Sequence, residues 1–156
     1  MPWEPSFNPR GLITSKPTTG GGVLVYAPTP TTIPLVGELV IAATFTPAGA
    51  HTGHYTPPYV KKCPTAGSVR GIGVCIGGWT RGVAPVKGGV CQVMVLGPAE
   101  VLFKGHATAG DYIVVSTAAA GKAKAAATIV AGKTFGVILQ STSTTTKLAY
   151  CYVRMV

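Results

Sequence analysis

Val36-Gly37-Glu38-Leu39-Val40, then Gly71-Ile72-Gly73-Val74-Cys75-Ile76, then Cys91-Gln92-Val93-Met94-Val95: this order of short segments decides the fold, because it comes back. It returns as Ala109-Gly110-Asp111-Tyr112-Ile113-Val114, Phe135-Gly136-Val137-Ile138-Leu139 and Cys151-Tyr152-Val153-Arg154-Met155. A turn carrying glycine plus an acid, a Gly-Val-x-aliphatic strand and a closing strand read as one β unit used twice. The expectation is an all-β, compact β-sandwich or barrel built from two pseudo-repeats.

Working outward, Val23–Tyr26 opens the folded part, and a strand is expected over Glu38–Phe45. Further strands are expected over Gly71–Gly78, Val90–Val95, Glu100–Lys104, Asp111–Ser116, Lys133–Gln140 and Lys147–Met155, with Gly97-Pro98 as a turn between the second and third of these runs. Seven alanines within Thr117–Ala127 favour a helix by propensity, but Gly121 interrupts a window too short to be stable alone. A hairpin turn at Ala120-Gly121-Lys122 is expected instead. In the last strand Ala149, Cys151, Val153 and Met155 alternate with Leu148, Tyr150, Tyr152 and Arg154, so both faces carry apolar groups. The second face therefore calls for a cover, from a loop or a neighbouring subunit.

Two segments stand outside the repeat. Residues 1–22 form an extended N-terminal arm that mixes turn formers with Trp3, Phe7, Arg10, Leu12 and Ile13, large groups that disordered tails usually lack. The β domain spans 23–156, and 46–68 reads as a loop inserted in its first half. That loop carries His54, Tyr55, Tyr59, Lys61 and Lys62, which suit a contact site.

Composition narrows the function classes. Thirteen Lys and Arg face four acids, Glu4, Glu38, Glu100 and Asp111, for a net charge of +9. General acid/base catalysis wants paired carboxylates or a carboxylate beside histidine, and this chain has few to offer. No nucleophile elbow, phosphate loop or zincin motif is present, so no catalytic residues, cofactor or enzyme activity are expected. Gly71-Ile72-Gly73 lacks a following helix and reads as tight strand packing, while Glu38 and Asp111 read as turn acids. His51, His54 and His106 are not spaced with cysteine as zinc ligands, so no metal is expected. Cys63, Cys75, Cys91 and Cys151 read as buried thiols of a reducing compartment, with a Cys91–Cys151 bridge left open because spacing cannot decide it. No apolar run of membrane-spanning length and no secretory signal is seen. The positive charge leaves nucleic acid open as an alternative: an OB-like single-stranded nucleic-acid-binding protein would arrange Lys104, His106, Tyr112, Lys147, Tyr150 and Tyr152 along a groove. A small hydrolase using Asp111 and His106 is the third reading.

The run Val95–Val101, then Ala107–Val115, Gly121-Lys122-Ala123, Phe135–Leu139 and the C-terminal strand resembles the capsid decoration (cement) proteins of tailed bacteriophages, the small β-tulip type. The resemblance covers about 23–156. It implies a structural virion protein, made in the host cytoplasm and added to the outer surface of an expanded head. There it would clamp neighbouring major capsid protein subunits, commonly as a homotrimer, with no catalytic set and no direct nucleic-acid or membrane role. The arm matches that family by character, and the 46–68 insertion departs from its simplest members.

Overall fold

A computed structural model of the chain describes residues 15–17, 23–28, 33–43, 59–65, 71–86, 89–143 and 147–154. Its ten strands are β1 (Ser15–Pro17), β2 (Val23–Pro28), β3 (Leu39–Ala43), β4 (Tyr59–Lys62), β5 (Gly71–Gly77), β6 (Val90–Leu102), β7 (Tyr112–Val115), β8 (Ala123–Ala126), β9 (Thr134–Ile138) and β10 (Leu148–Arg154). No helix occurs among the described residues. Eight strands run in the order β4-β3-β5-β6-β10-β9-β7-β8, every neighbouring pair antiparallel, and the sheet curls into a half-barrel. β2 adds to β6 and β1 to β2.

The curl is drawn together at the end where β3 begins. Gly121, in the β7–β8 turn, donates its N–H to Cys63 O (2.7 Å) and accepts from Leu39 N (2.7 Å), while Lys104 N donates to Ala123 O (2.8 Å). The expected turn at Ala120-Gly121-Lys122 is thus present, with Gly121 at φ +74°. Any side chain there would press on the Lys62 and Glu38 side chains, so glycine is required by space as well as by backbone angle.

One long strand stands where two were expected. β6 runs unbroken through Gly97-Pro98, paired to β5 and β2 in its first half and to β10 in its second. The glycine and proline make no turn because β10 pairs straight across them, Val153 opposite Gly97 and Tyr152 opposite Pro98. Instead the strand carries a bulge: β2 skips from Leu96 to Met94, leaving Val95 as the extra residue, and Gly97 takes φ +127°. Met94 and Ala99 both enter the main core although five positions separate them. The extra residue shifts the pleat by one and reverses which side chains face inward.

The main core gathers Leu39, Ile41, Val74, Met94, Val101, Phe103, Ile113, Phe135, Ile138, Cys151 and Val153 among others. A second, smaller cluster of Val40, Val60, Cys75, Cys91 and Val93 lies on the other face of β3–β6. β2, paired to β6 and approaching β4, joins the two strands that bound this cluster. The close strand packing read from Gly71-Ile72-Gly73 is present, since a Cβ on Gly73 would collide with the Met94 carbonyl.

Hydrogen bonds at the two Gly-acid turns match. Gly37 N donates to Cys75 O (2.8 Å) and Gly110 N to Ile138 O (2.9 Å); Cys75 N donates to Glu38 O (2.9 Å) and Ile138 N to Asp111 O (2.8 Å). The registers Leu39↔Val74 and Val40↔Gly73 are likewise paralleled by Tyr112↔Val137 and Ile113↔Gly136.

Candidate functional site

β10 alternates strictly between exposed and buried residues. Ala149, Cys151 and Val153 enter the core, and Leu148, Tyr150, Tyr152 and Arg154 point away from it, as the sequence period requires. Cross-strand pairing extends this outer face on both sides. Tyr152 lies opposite Pro98 of β6 and Val137 of β9, and Val137 lies opposite Tyr112 of β7, so one row crosses four strands. Tyr150 lies opposite Glu100, Leu148 opposite Leu102 and Arg154 opposite Leu96. Tyr150 is 46% and Tyr152 39% exposed, with Leu96, Leu139 and Leu148 exposed around them. This is a largely apolar and aromatic face in which the exposed Glu100 sits opposite Tyr150, between Pro98 and Leu102, and Arg154 lies opposite Leu96. Tyrosines on a sheet supply contact area at low cost in side-chain entropy, which suits recognition of a broad surface.

A second exposed feature is the β5–β6 connection. Its base is fixed by the buried Gln92 amide, which donates to Gly78 O (2.7 Å) and Trp79 O (3.2 Å), and by bonds from Gly78 N to Val83 O and Gly82 N to Ile76 O. Trp79 is 70% exposed, with Val83 and Val86 also exposed. The sequence signal for this feature is the interleaving of Trp79, Val83 and Val86 with glycines.

Among the described residues one ion pair occurs, between Glu38 and Lys62. Glu38 is buried, accepts the Leu35 N–H at 2.8 Å and pairs with Lys62 Nζ at 3.1 Å. The turn role read for Glu38 is therefore present, but the ion pair was not foreseen, because Lys62 arrives from a strand 24 positions away along the chain. No group of three metal-ligating side chains occurs among the described residues.

The cysteines divide between the two cores. Cys63 and Cys151 belong to the main cluster, Cys75 and Cys91 to the smaller one, and all four are free. A Cys91–Cys151 bridge is excluded: the β6 bulge leaves these residues on opposite faces of the sheet. Burial pushes the Cys63 thiol up to about 11 and Cys151 up to about 12.

The candidate residues fall as follows. Trp3, Phe7, Arg10, Leu12, Ile13, His54 and Tyr55 lie outside the described residues, and of Tyr59 only the backbone, on β4, is described. Lys61 is exposed on β4, whereas Lys62 is committed to Glu38. From the nucleic-acid set, Tyr112, Tyr150 and Tyr152 share the outer face, while Lys104, His106 and Lys147 sit in connections around β6 and β10.

No family model, curated protein or solved structure matches the chain. What can be said of its role rests on the geometry of its own residues.

Proposed function

We propose that this chain is a non-enzymatic structural protein of a phage head, bound to the outer surface of the capsid and stabilising it by clamping neighbouring major capsid subunits. The observation that carries the reading is the outer face of β10, where Leu148, Tyr150 and Tyr152, with Leu96 and Leu139, offer a largely apolar exposed platform. A cement protein gains affinity from many shallow contacts repeated around a shell, and a preorganised sheet face supplies them without an ordering cost. The arm residues Trp3, Phe7, Arg10, Leu12 and Ile13 and the loop residues His54, Tyr55, Tyr59 and Lys61 are the further contact elements of this reading. The assembly unit is a trimer, in keeping with the family the sequence resembles.

The body is a compact β-tulip-like unit made of two copies of one four-strand module, β3–β6 and β7–β10. Support comes from the palindromic strand order and from the matched turn bonds and registers of the two halves. Duplication suits a clamp, because it yields a stiff body without elaborate loops.

The test is binding of the purified full chain to expanded shells of the cognate virion that lack it. Co-sedimentation with saturation at a fixed number per shell is the expected result, with Tyr150→Ser/Tyr152→Ser weakening affinity about 10-fold or more if the face holds hot-spot residues. Absence of shell binding by a folded, wild-type chain overturns the reading.

A second reading has its own observation: Tyr112, Tyr150 and Tyr152 share one exposed face with Arg154 in a chain of net charge +9. Stacked bases on such a platform would make it a single-stranded nucleic-acid binder. Oligonucleotide affinity falling steeply with salt, and lost in the same double variant, selects this reading; no affinity at low salt removes it.

A further inference from the structure

The small cluster on the second face of β3–β6 holds a pair of nucleophiles that the proposed function does not use. Cys75 lies two residues from the end of β5 and Cys91 at the second residue of β6, on either side of the base of the 78–89 connection. Cys75 is opposite Val93, and the register then shifts so that Gly77 is opposite Gln92, leaving Ile76 as a bulge. Cys75 and Cys91 are thus diagonal neighbours on one face, both fully buried against Val40, Val60 and Val93. Each thiol is also within reach of a backbone carbonyl at this corner, Cys75 Sγ of Gly77 O (3.8 Å) and Cys91 Sγ of Gln92 O (3.9 Å). No third ligand joins them: groups of three metal-binding side chains are absent among the described residues, so a closed zinc site is not the use of this pair.

We propose that Cys75 and Cys91 are a redox site, which a small peroxide converts into a disulfide tying β5 to β6 beneath the loop that carries Trp79. The two thiols differ in a way that assigns their roles. Donation from the Cys91 thiol pulls the Cys75 sulfur below the ordinary thiol range, against burial and the nearby Glu38 carboxylate, whereas Cys91, as donor and buried, is pushed far up. Cys75 is then the attacking sulfur. Its thiolate takes one oxygen from hydrogen peroxide and releases hydroxide, giving a sulfenic acid. The Cys91 sulfur, losing its proton, attacks the Cys75 sulfur and expels hydroxide, which leaves as water. The sum is two thiols plus one hydrogen peroxide giving one disulfide and two waters. The oxidant must be small, because neither sulfur is exposed. Cys63 and Cys151 lack such a partner, and burial alone holds both of them as inert thiols.

The experiment uses the full chain, folded and reduced, treated with hydrogen peroxide, then denatured, alkylated and mapped by peptide mass spectrometry. The expected result is loss of two of the four alkylatable thiols, a Cys75–Cys91 cross-linked peptide, and recovery of all four with dithiothreitol. The oxidised chain should also melt a few degrees higher, since the closed loop restrains its unfolded state. Retention of four thiols, over-oxidation of Cys75 without a link, or a link through Cys63 or Cys151 overturns the proposal. Cys75→Ser and Cys91→Ser should each abolish the paired loss, and Cys63→Ser should leave it unchanged. Should a serine variant fail to fold, the wild-type peptide map decides the matter alone.

Discussion

Two rows of side chains occupy the same place in the hydrogen-bond register and meet opposite fates. Leu39, Val74 and Met94 cross β3, β5 and β6 and are fully buried in the main core; Tyr112, Val137 and Tyr152 cross β7, β9 and β10 in matching register and lie on the outer face. In the adjoining positions the order inverts: Val40, Cys75 and Val93 fill the small second cluster, while Ile113, Ile138 and Cys151 enter the main one. The inversion has a local cause in the one-residue bulge of β6 at Val95, followed by Gly97. Its consequence is that Leu39–Ile41, Gly73–Ile76 and Cys91–Met94 are buried on both faces, while β10 is buried on one only. The tyrosines of β10 therefore contribute little to the body's own core and stand exposed on its outer face.

Substitutions at the paired positions break or sharpen that contrast most strongly. Met94→Ala empties a fully buried site and should cost roughly 2–5 kcal/mol in urea unfolding, whereas Tyr152→Ser, at the matching position of β10, should cost under about 1 kcal/mol. Equal losses for the two variants would mean that the outer face is already covered in solution, and the contrast would fail.

The turn acids give the next largest separation. Lys62→Met leaves the buried Glu38 carboxylate with only the Leu35 N–H, and should cost roughly 2–4 kcal/mol, toward the low end because Lys62 itself reaches solvent. Asp111→Asn, at the equivalent turn where the acid is half-buried and not ion-paired, should stay within about 0.5 kcal/mol. Chemical denaturation of both variants at neutral pH checks the difference, and a comparable cost at the two turns would show that the pair is not what distinguishes the halves.

Much of the architecture was legible because its signals are local. The strict alternation of Leu148–Arg154, the glycine at Gly121 and the Gly-acid turns each depend on a few consecutive residues, and each appears where the residue pattern puts it. What escaped was nonlocal. Gly97-Pro98 reads as a turn by composition, yet β10 pairs across it and carries the strand through, and no property of the dipeptide announces that partner. The bulge in turn decides which face each cysteine meets, so the apparent equivalence of Cys91 and Cys151 in sequence could not survive folding. The apolar second face of β10 was visible as a pattern, and the structure adds the row through Val137 to Tyr112 that widens it into a platform. The exposure of Trp79 is likewise nonlocal, since nothing in its own segment announces that the buried Gln92 will brace it.

The finest contrast separates the two clusters by their thiols. Cys63 and Cys151, in the main core, hold their protons up to about pH 11 and about pH 12 in the folded chain, against an ordinary value of 9.0 that the unfolded chain retains. Between pH 9 and those values the unfolded state binds fewer protons than the folded one, so stability falls as pH rises and levels off once the folded thiols ionise. Below pH 9 both states are protonated and these thiols contribute no slope. Cys151→Ala should therefore lower stability at neutral pH by creating a small cavity, yet give a shallower loss between pH 9 and 12 than the wild type in parallel urea titrations. Cys75→Ala removes no such contribution between pH 9 and 12, because its sulfur sits below the ordinary range in the folded chain and its own slope, of opposite sign, lies below pH 9. If both variants lose stability along the wild-type slope, the main core does not hold its thiols protonated, and the electrostatic distinction between the two clusters disappears while their packing distinction stands.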